Sequence, residues 1–149
     1  MAAYARQAVA RSSGGFTVSS NAVTLAAAVN FPTASTGTTI ATHFGIGRAS
    51  SGAGELLFFG TITPNITIVN GVTPQLTTAT NVTEAASDGM GDTAANNLLK
   101  LIFNNTAWAN IGDAGGLLPS ASAGSLYLSL HTASPAEAGT QSTSEVSYT

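Results

Sequence analysis

Two histidines are the only side chains in this sequence whose ordinary pKa suits proton transfer near neutral pH. His131 closes the alternating run Leu126–His131, and Glu137 and Glu145 follow in the next loop. A carboxylate orienting the imidazole from there would make a base–orienter couple. The competing structural reading, with the ring bonding loop carbonyls, asks for less and takes precedence. His43 falls on the less apolar face of a strand and reads as a packed or surface hydrogen-bonding histidine. The pair, with no neighbouring carboxylate motif, makes a poor metal site. Glu84, Asp88 and Asp92 in a glycine-containing loop hint at calcium. The D-x-[DN]-x-[DN]-G pattern is absent, however, and helix capping suffices for Asp92. Gly45-Ile46-Gly47 with Gly52 and Gly54 precedes a strand, where a phosphate cradle would open a helix. No G-x-S-x-G elbow occurs. Trp108, Tyr127, Tyr148 and Phe16 could line a sugar platform, but scattered aromatics in a small β domain read first as core or interface anchors. The expectation is a structural or binding module with no catalytic residues, metal or cofactor, and not an enzyme.

Composition points the same way. The chain has 149 residues, 44% apolar and 7% charged, with a formal net charge of −3. A typical globular domain is about 25% charged. Four cations, Arg6, Arg11, Arg48 and Lys100, are too few and too scattered to displace counterions from nucleic acid or to hold an anionic membrane surface. There are no cysteines, so neither disulfides nor thiolate metal sites staple the chain, and burial between subunits is a natural source of extra stability. No stretch approaches the roughly 20 apolar residues of a membrane span, and no signal peptide opens the chain.

The elements that must position these residues are mostly strands. Phe16–Ser19 and Ala22–Val29 flank a Ser20-Asn21 turn, and Thr38–Gly47 alternates, with Ile40, Thr42, Phe44 and Ile46 on one face. Glu55–Thr63 is a near-continuous apolar run that reads as a strand buried on both faces. Pro64-Asn65 and Asn70-Gly71 then punctuate two short strands, Ile66–Val69 and Val72–Leu76, with Asn-Gly as the strongest hairpin signal. Residues 84–91 read as a linker, and Asp92-Thr93 can cap a helix over about 93–106. Leu98, Leu101, Ile102 and Asn105, with Ala94 and Ala95, form its expected apolar stripe. Residues 107–124 form a small-residue loop anchored by Trp108, and Leu126–His131 returns to alternation. The expected fold is one mainly β domain over 1–149, a jelly-roll-like sandwich or small barrel with one docked helix. The last residues, Glu145–Thr149, and Tyr4–Ala10 read as halves of one strand–turn unit, the pattern expected of a circular permutant or of a chain whose natural last residues are missing.

Several segments together carry a resemblance. Leu126–Gln141 followed by Ser144–Thr149 resembles a "YxSLHTAxPGEAGTQxTSEVSYTGYARVAVAR" stretch of small tailed-bacteriophage virion structural proteins, of the head decoration (cementing) or tail-fibre-like type. Tyr4–Ser12 is similar to the continuation of that stretch, and Phe31-Pro32, Thr42–Gly47, Ser50–Gly54, Leu56-Leu57 and Gly71–Pro74 to its later part. Asp92–Asn96 and the leucines after it resemble the family's first helix. The order differs: here the second half comes first, Met1-Ala2-Ala3 stands where a joining glycine would be, and residues 84–91 join the family's two ends.

The resemblance implies no catalytic residues. It implies a capsid decoration or cementing protein that acts as a symmetric oligomer, expected to be a trimer, on the major capsid protein or other virion subunits. Such a protein is made in the bacterial cytoplasm and resides on the capsid surface of the virion. The alternative it implies is a tail-fibre-like module that binds a receptor or glycan. Trp108, Leu117, Leu118, Phe58 and Phe59 are the candidate interface residues.

Overall fold

The computed structural model describes residues 3–84, 89–113 and 115–149. In chain order it has β1 (Gln7–Ala10), β2 (Phe16–Ser19), β3 (Ala22–Leu25), β4 (Val29–Asn30), β5 (Thr39–Gly47), β6 (Leu56–Ile68), β7 (Gln75–Leu76), β8 (Asn81–Thr83), α1 (Asp92–Phe103) and β9 (Ser125–His131). The strands form sheets ordered β1-β9-β5-β6, β2-β3-β8 and β4-β7. Among the described residues the chain is mainly β with one helix, a composition consistent with a β sandwich, and none of the sheets closes into a barrel. Asp88 and the interior of the expected 84–91 linker lie outside the described residues, as do Met1 and Ala2. No described helix is long and apolar enough to cross a membrane.

The chain divides into two compact units. The first comprises Met1–Ala8, Ala28–Thr77 and Leu126–Thr149. Its buried side chains include Phe31, Ala41, Phe44, Ile46, Ile68, Leu76, Leu126, Leu128, Leu130 and Val146. β9 lies between β1 and β5, so both of its edges are paired. The leucines take one face, as the alternation predicts, while Ser129 and His131 on the other are also fully buried.

Three expectations for this unit need correction. Ile40 is 47% exposed and Ala41 is buried, so the inward face of β5 changes partway along. The cause is a register shift between Ala41 and His43: Ala41 pairs with Ile66 and His43 with Thr61, so two steps on β5 match five on β6. A bulge of this kind rotates the strand, and strict alternation cannot foresee it. The Glu55–Thr63 run is not buried on both faces; β6 is continuous through Pro64, lies at the sheet's end and is mostly half-exposed. Asn70-Gly71 does form a turn, with Gly71 at φ +83° and the Val72 N–H on the Val69 carbonyl at 2.9 Å. Its flanks do not form a hairpin, because β6 pairs with β5 while β7 pairs with β4.

The second unit comprises Val9–Ala27 and Thr78–Ser125. Here the β2–β3 hairpin follows the sequence reading: Phe16 faces Leu25 and Val18 faces Val23 across a turn with Ser20 at φ +50°. The expected Ala22–Val29 strand is broken, ending as β3 at Leu25 and resuming as β4 in a different sheet. The helix docks as predicted in kind, but it ends at Phe103 and buries Ala95, Leu99 and Phe103, not Leu98, Leu101, Ile102 and Asn105. Those three buried positions repeat every four residues, a narrower stripe, and the Phe103 ring meets Phe16 edge-on at 4.9 Å. Gly91 occupies the N-cap with no side-chain bond, so Asp92 is the first helical residue and not the cap.

Candidate functional site

Arg6 and Glu145 build a polar centre in the first unit. Arg6 Nε meets Glu145 Oε1 at 2.7 Å and Nη2 meets Oε2 at 2.8 Å, with side-chain exposures of 2% and 16%. The remaining guanidinium donors reach the Ala49 and Gly52 carbonyls at 3.0 and 2.7 Å, which fixes the 48–54 loop. Gln141, fully buried, holds the same loop: its Oε1 accepts from the Ala49 N–H at 2.8 Å and its own N–H donates to the Gly54 carbonyl at 2.9 Å. This explains the glycines near it. A β-carbon on Gly47 or Gly54 would overlap the Gln141 side chain, so close packing requires glycine there.

His131 takes the structural role. Its Nδ1 lies 2.7 Å from the Thr143 carbonyl and its Nε2 lies 2.8 Å from Ser129 Oγ, with all of the ring out of solvent. Burial is the main influence on the ring and holds its pKa below the usual value. Glu145 stands opposite His131 in an antiparallel bridge, but both carboxylate oxygens bond Arg6; Glu137 is exposed. Neither carboxylate orients the imidazole. His43 is half-buried, with Nδ1 2.8 Å from Thr42 Oγ1. Among the described residues no three of His, Asp and Glu gather as metal ligands. The aromatic platform is not formed, because Phe16 and Tyr148 are buried, at 1% and 6% exposure. Tyr148 instead packs edge-on to Tyr4 at 5.5 Å and donates its hydroxyl to the Pro32 carbonyl at 2.8 Å.

Three of the five candidate contact residues sit together on one loop of the second unit. Trp108 and Leu117 exchange both backbone hydrogen bonds at 2.9 Å. Asp113 Oδ1 accepts from the Gly115 and Gly116 N–H groups at 2.9 and 3.0 Å, so the loop's charged side chain bonds within it. At the base, Asn105 and Ser120 bond reciprocally: the Asn105 amide donates to the Ser120 carbonyl at 2.9 Å, and the Ser120 N–H donates to Asn105 Oδ1 at 2.8 Å. This closed loop presents Leu117 at 42%, Leu118 at 71% and Ile111 at 41% exposure, with Trp108 half-buried. Ordered, exposed apolar side chains of this kind mark interaction surfaces. The other two candidates, Phe58 and Phe59, are half-buried in β6.

Sequence reasoning missed how the cations are engaged. Arg11 donates to the Ile102 and Leu101 carbonyls at 2.6 and 2.9 Å, where α1 ends, and to Ala123 and Ser120 Oγ at 3.2 Å. Arg48 pairs with Glu55 at 3.0 Å, both exposed. Three of the four cations therefore bond within the chain. The one available signal was scarcity, since an arginine in a chain this poor in charge usually has a fixed partner.

A family model described as "Podophage GP4 fiber I protein gp80" matches residues 1–83. No curated protein and no solved structure matches the chain. The matched residues are more than half of the 149, and they run from the chain's start to the last residue of β8. The chain belongs to the podophage GP4 fiber I protein gp80 family and is thus a bacteriophage structural protein.

Proposed function

We propose that this protein works by lasting contact with neighbouring virion subunits, as a capsid decoration or cementing protein in a symmetric homo-oligomer, a trimer. The carrying observation is the hydrogen-bonded loop that exposes Leu117 and Leu118 on a chain whose arginines bond internally. Apolar burial supplies the affinity, and a partner surface such as that of the major capsid protein meets few charges to desolvate. No catalytic step, metal or cofactor enters this reading. The protein would be made in the bacterial cytoplasm and reside on the capsid surface.

A second reading draws on the family's description, which names a fibre. In it, Trp108 at the base of the same loop helps a fibre-borne module bind a receptor or glycan. One comparison separates the two. As a decoration protein it binds capsids lacking it and raises their resistance to heat, and Leu118→Asp abolishes this while the isolated protein keeps its melting temperature. As a fibre module it binds host cells or their polysaccharide, and Trp108→Ala removes that binding. Failure to bind capsids overturns the first reading.

We also propose that the segment order is permuted relative to the resembling phage proteins. The Tyr4 N–H donates to the Tyr148 carbonyl at 3.0 Å, which supports the reading. A β-turn through Thr149 and a single glycine would make that same bond.

A further inference from the structure

We propose that the buried Ser129–His131–Thr143 chain is an acid-operated latch, which holds residues 143–146 against β9 at neutral pH and frees them on acidification. The Thr143 carbonyl can only accept, so the 2.7 Å contact places the ring proton on Nδ1. Nε2 then carries a lone pair and accepts the Ser129 hydroxyl at 2.8 Å. The neutral ring satisfies both contacts in this one tautomer.

A second proton would enter on Nε2, facing the hydrogen of the Ser129 hydroxyl. That hydroxyl would have to turn its hydrogen away from Nε2 and give up that acceptor, and β5 packs closely there. A β-carbon on Gly45 would sit 2.6 Å from Nε2 and 2.7 Å from Ser129 Oγ. His131 and Ser129 are both 0% exposed, so no solvent reaches the charge.

The surrounding charges do not rescue it. From β5, His43 pairs directly across from His131 and weighs against a positive charge there. From the C-terminal segment, Glu145 favours the imidazolium, but Arg6 from the N-terminal segment binds both of its oxygens and opposes it. Tyr4, whose hydroxyl accepts from the Leu130 N–H at 2.9 Å and bonds the Glu145 carboxylate, stays neutral because burial raises its pKa.

Opening the seam relieves the conflict by exposing the ring to water. The seam is short. Besides the His131 bond it consists of the Thr132 N–H on the Ser144 carbonyl at 2.8 Å, the Thr132 hydroxyl on the same oxygen at 3.2 Å, and the Val146 N–H on the Leu130 carbonyl at 2.9 Å, and freeing residue 145 also parts its carboxylate from Arg6. A local opening therefore breaks a handful of bonds and leaves the β9–β5 pairing in place.

Amide hydrogen exchange of the full chain at about pH 7.5 and about pH 5, corrected for intrinsic rates, tests the latch. The opening constants at Thr132 and Val146 should rise by about tenfold per pH unit below the unfolded histidine pKa, while the β2–β3 amides keep theirs. His131→Gln should flatten the response and His43→Gln should retain it. Ring ¹⁵N shifts of the unaltered protein supply a reading that needs no variant, with the Nδ1–H tautomer expected at neutral pH. A pH-independent seam, a seam that opens only together with β2–β3, an Nε2–H tautomer, or an acid response that survives in His131→Gln would each overturn the proposal.

Discussion

Arg6 and Glu145, 139 positions apart in the chain, meet through two parallel N–H···O contacts of 2.7 and 2.8 Å in a nearly water-free setting. Bidentate geometry and satisfied outer donors are what make a buried ion pair tolerable.

Removing one partner should be far worse than removing both. Arg6→Met leaves a buried carboxylate unpaired and should cost about 3–5 kcal/mol in urea unfolding. Adding Glu145→Met to that variant should recover part of the loss, since the stranded charge is gone. A double-mutant cycle measures the coupling, and additive losses would contradict the pairing.

Gly47 and Gly52 should respond differently to alanine. At Gly47 the added carbon overlaps Gln141, which must then release the Ala49 N–H, so Gly47→Ala should cost about 2–3 kcal/mol. Gly52 has open space but φ +73°, so Gly52→Ala should cost only about 1 kcal/mol, from backbone conformation alone. Thermal melts of the two variants rank them.

The buried tyrosines predict an alkaline limit. Burial pushes the Tyr148 phenol up to about 12, and Tyr4 is raised further in the same direction. Between the ordinary value of 10.0 and the folded value, the unfolded chain gives up a proton that the folded chain keeps. The associated stability is therefore complete below pH 10 and is lost as pH rises through 12. Absorbance at the phenolate band should lag behind that of free tyrosine and then rise together with loss of near-ultraviolet dichroism. In Tyr148→Phe the alkaline loss should shrink.

Joining Thr149 to Tyr4 through one glycine and reopening the chain within residues 85–88 should give a protein of the same fold. Its unfolding midpoint in urea should match the present one, and amide exchange should still protect the Tyr4 N–H. A chain that fails to fold would count against the permuted order.

The parts of this fold that the sequence made legible are those governed by neighbours along the chain. The β2–β3 hairpin follows from Phe16, Val18, Val23 and Leu25 around a two-residue turn, and β9 from its three leucines. The reading broke where distant residues decide. Ile40 points outward and Ala41 inward because extra residues around Pro64 on β6 reset the register between Ala41 and His43. The helix turns Leu99 and Phe103 inward because Phe16 waits there, and Leu98 is an equally good apolar residue on the wrong side. Within the candidate site, Trp108, Leu117 and Leu118 were visible as apolar residues in an otherwise small-residue loop. The Asn105–Ser120 clasp and the grip of Arg6 and Gln141 on the 48–54 loop were not, since single polar residues carry no periodicity.

That clasp has an evolutionary consequence. Because Asn105 and Ser120 seal the base of the loop in both directions, with Arg11 holding Ser120 Oγ, the two ends of the loop are fixed by bonds that do not involve its tip. Substitutions and length changes at the tip can then accumulate without a matching repair elsewhere. A phage whose contacts must track a changing partner would find its raw material for variation there, on a scaffold that does not have to change with it.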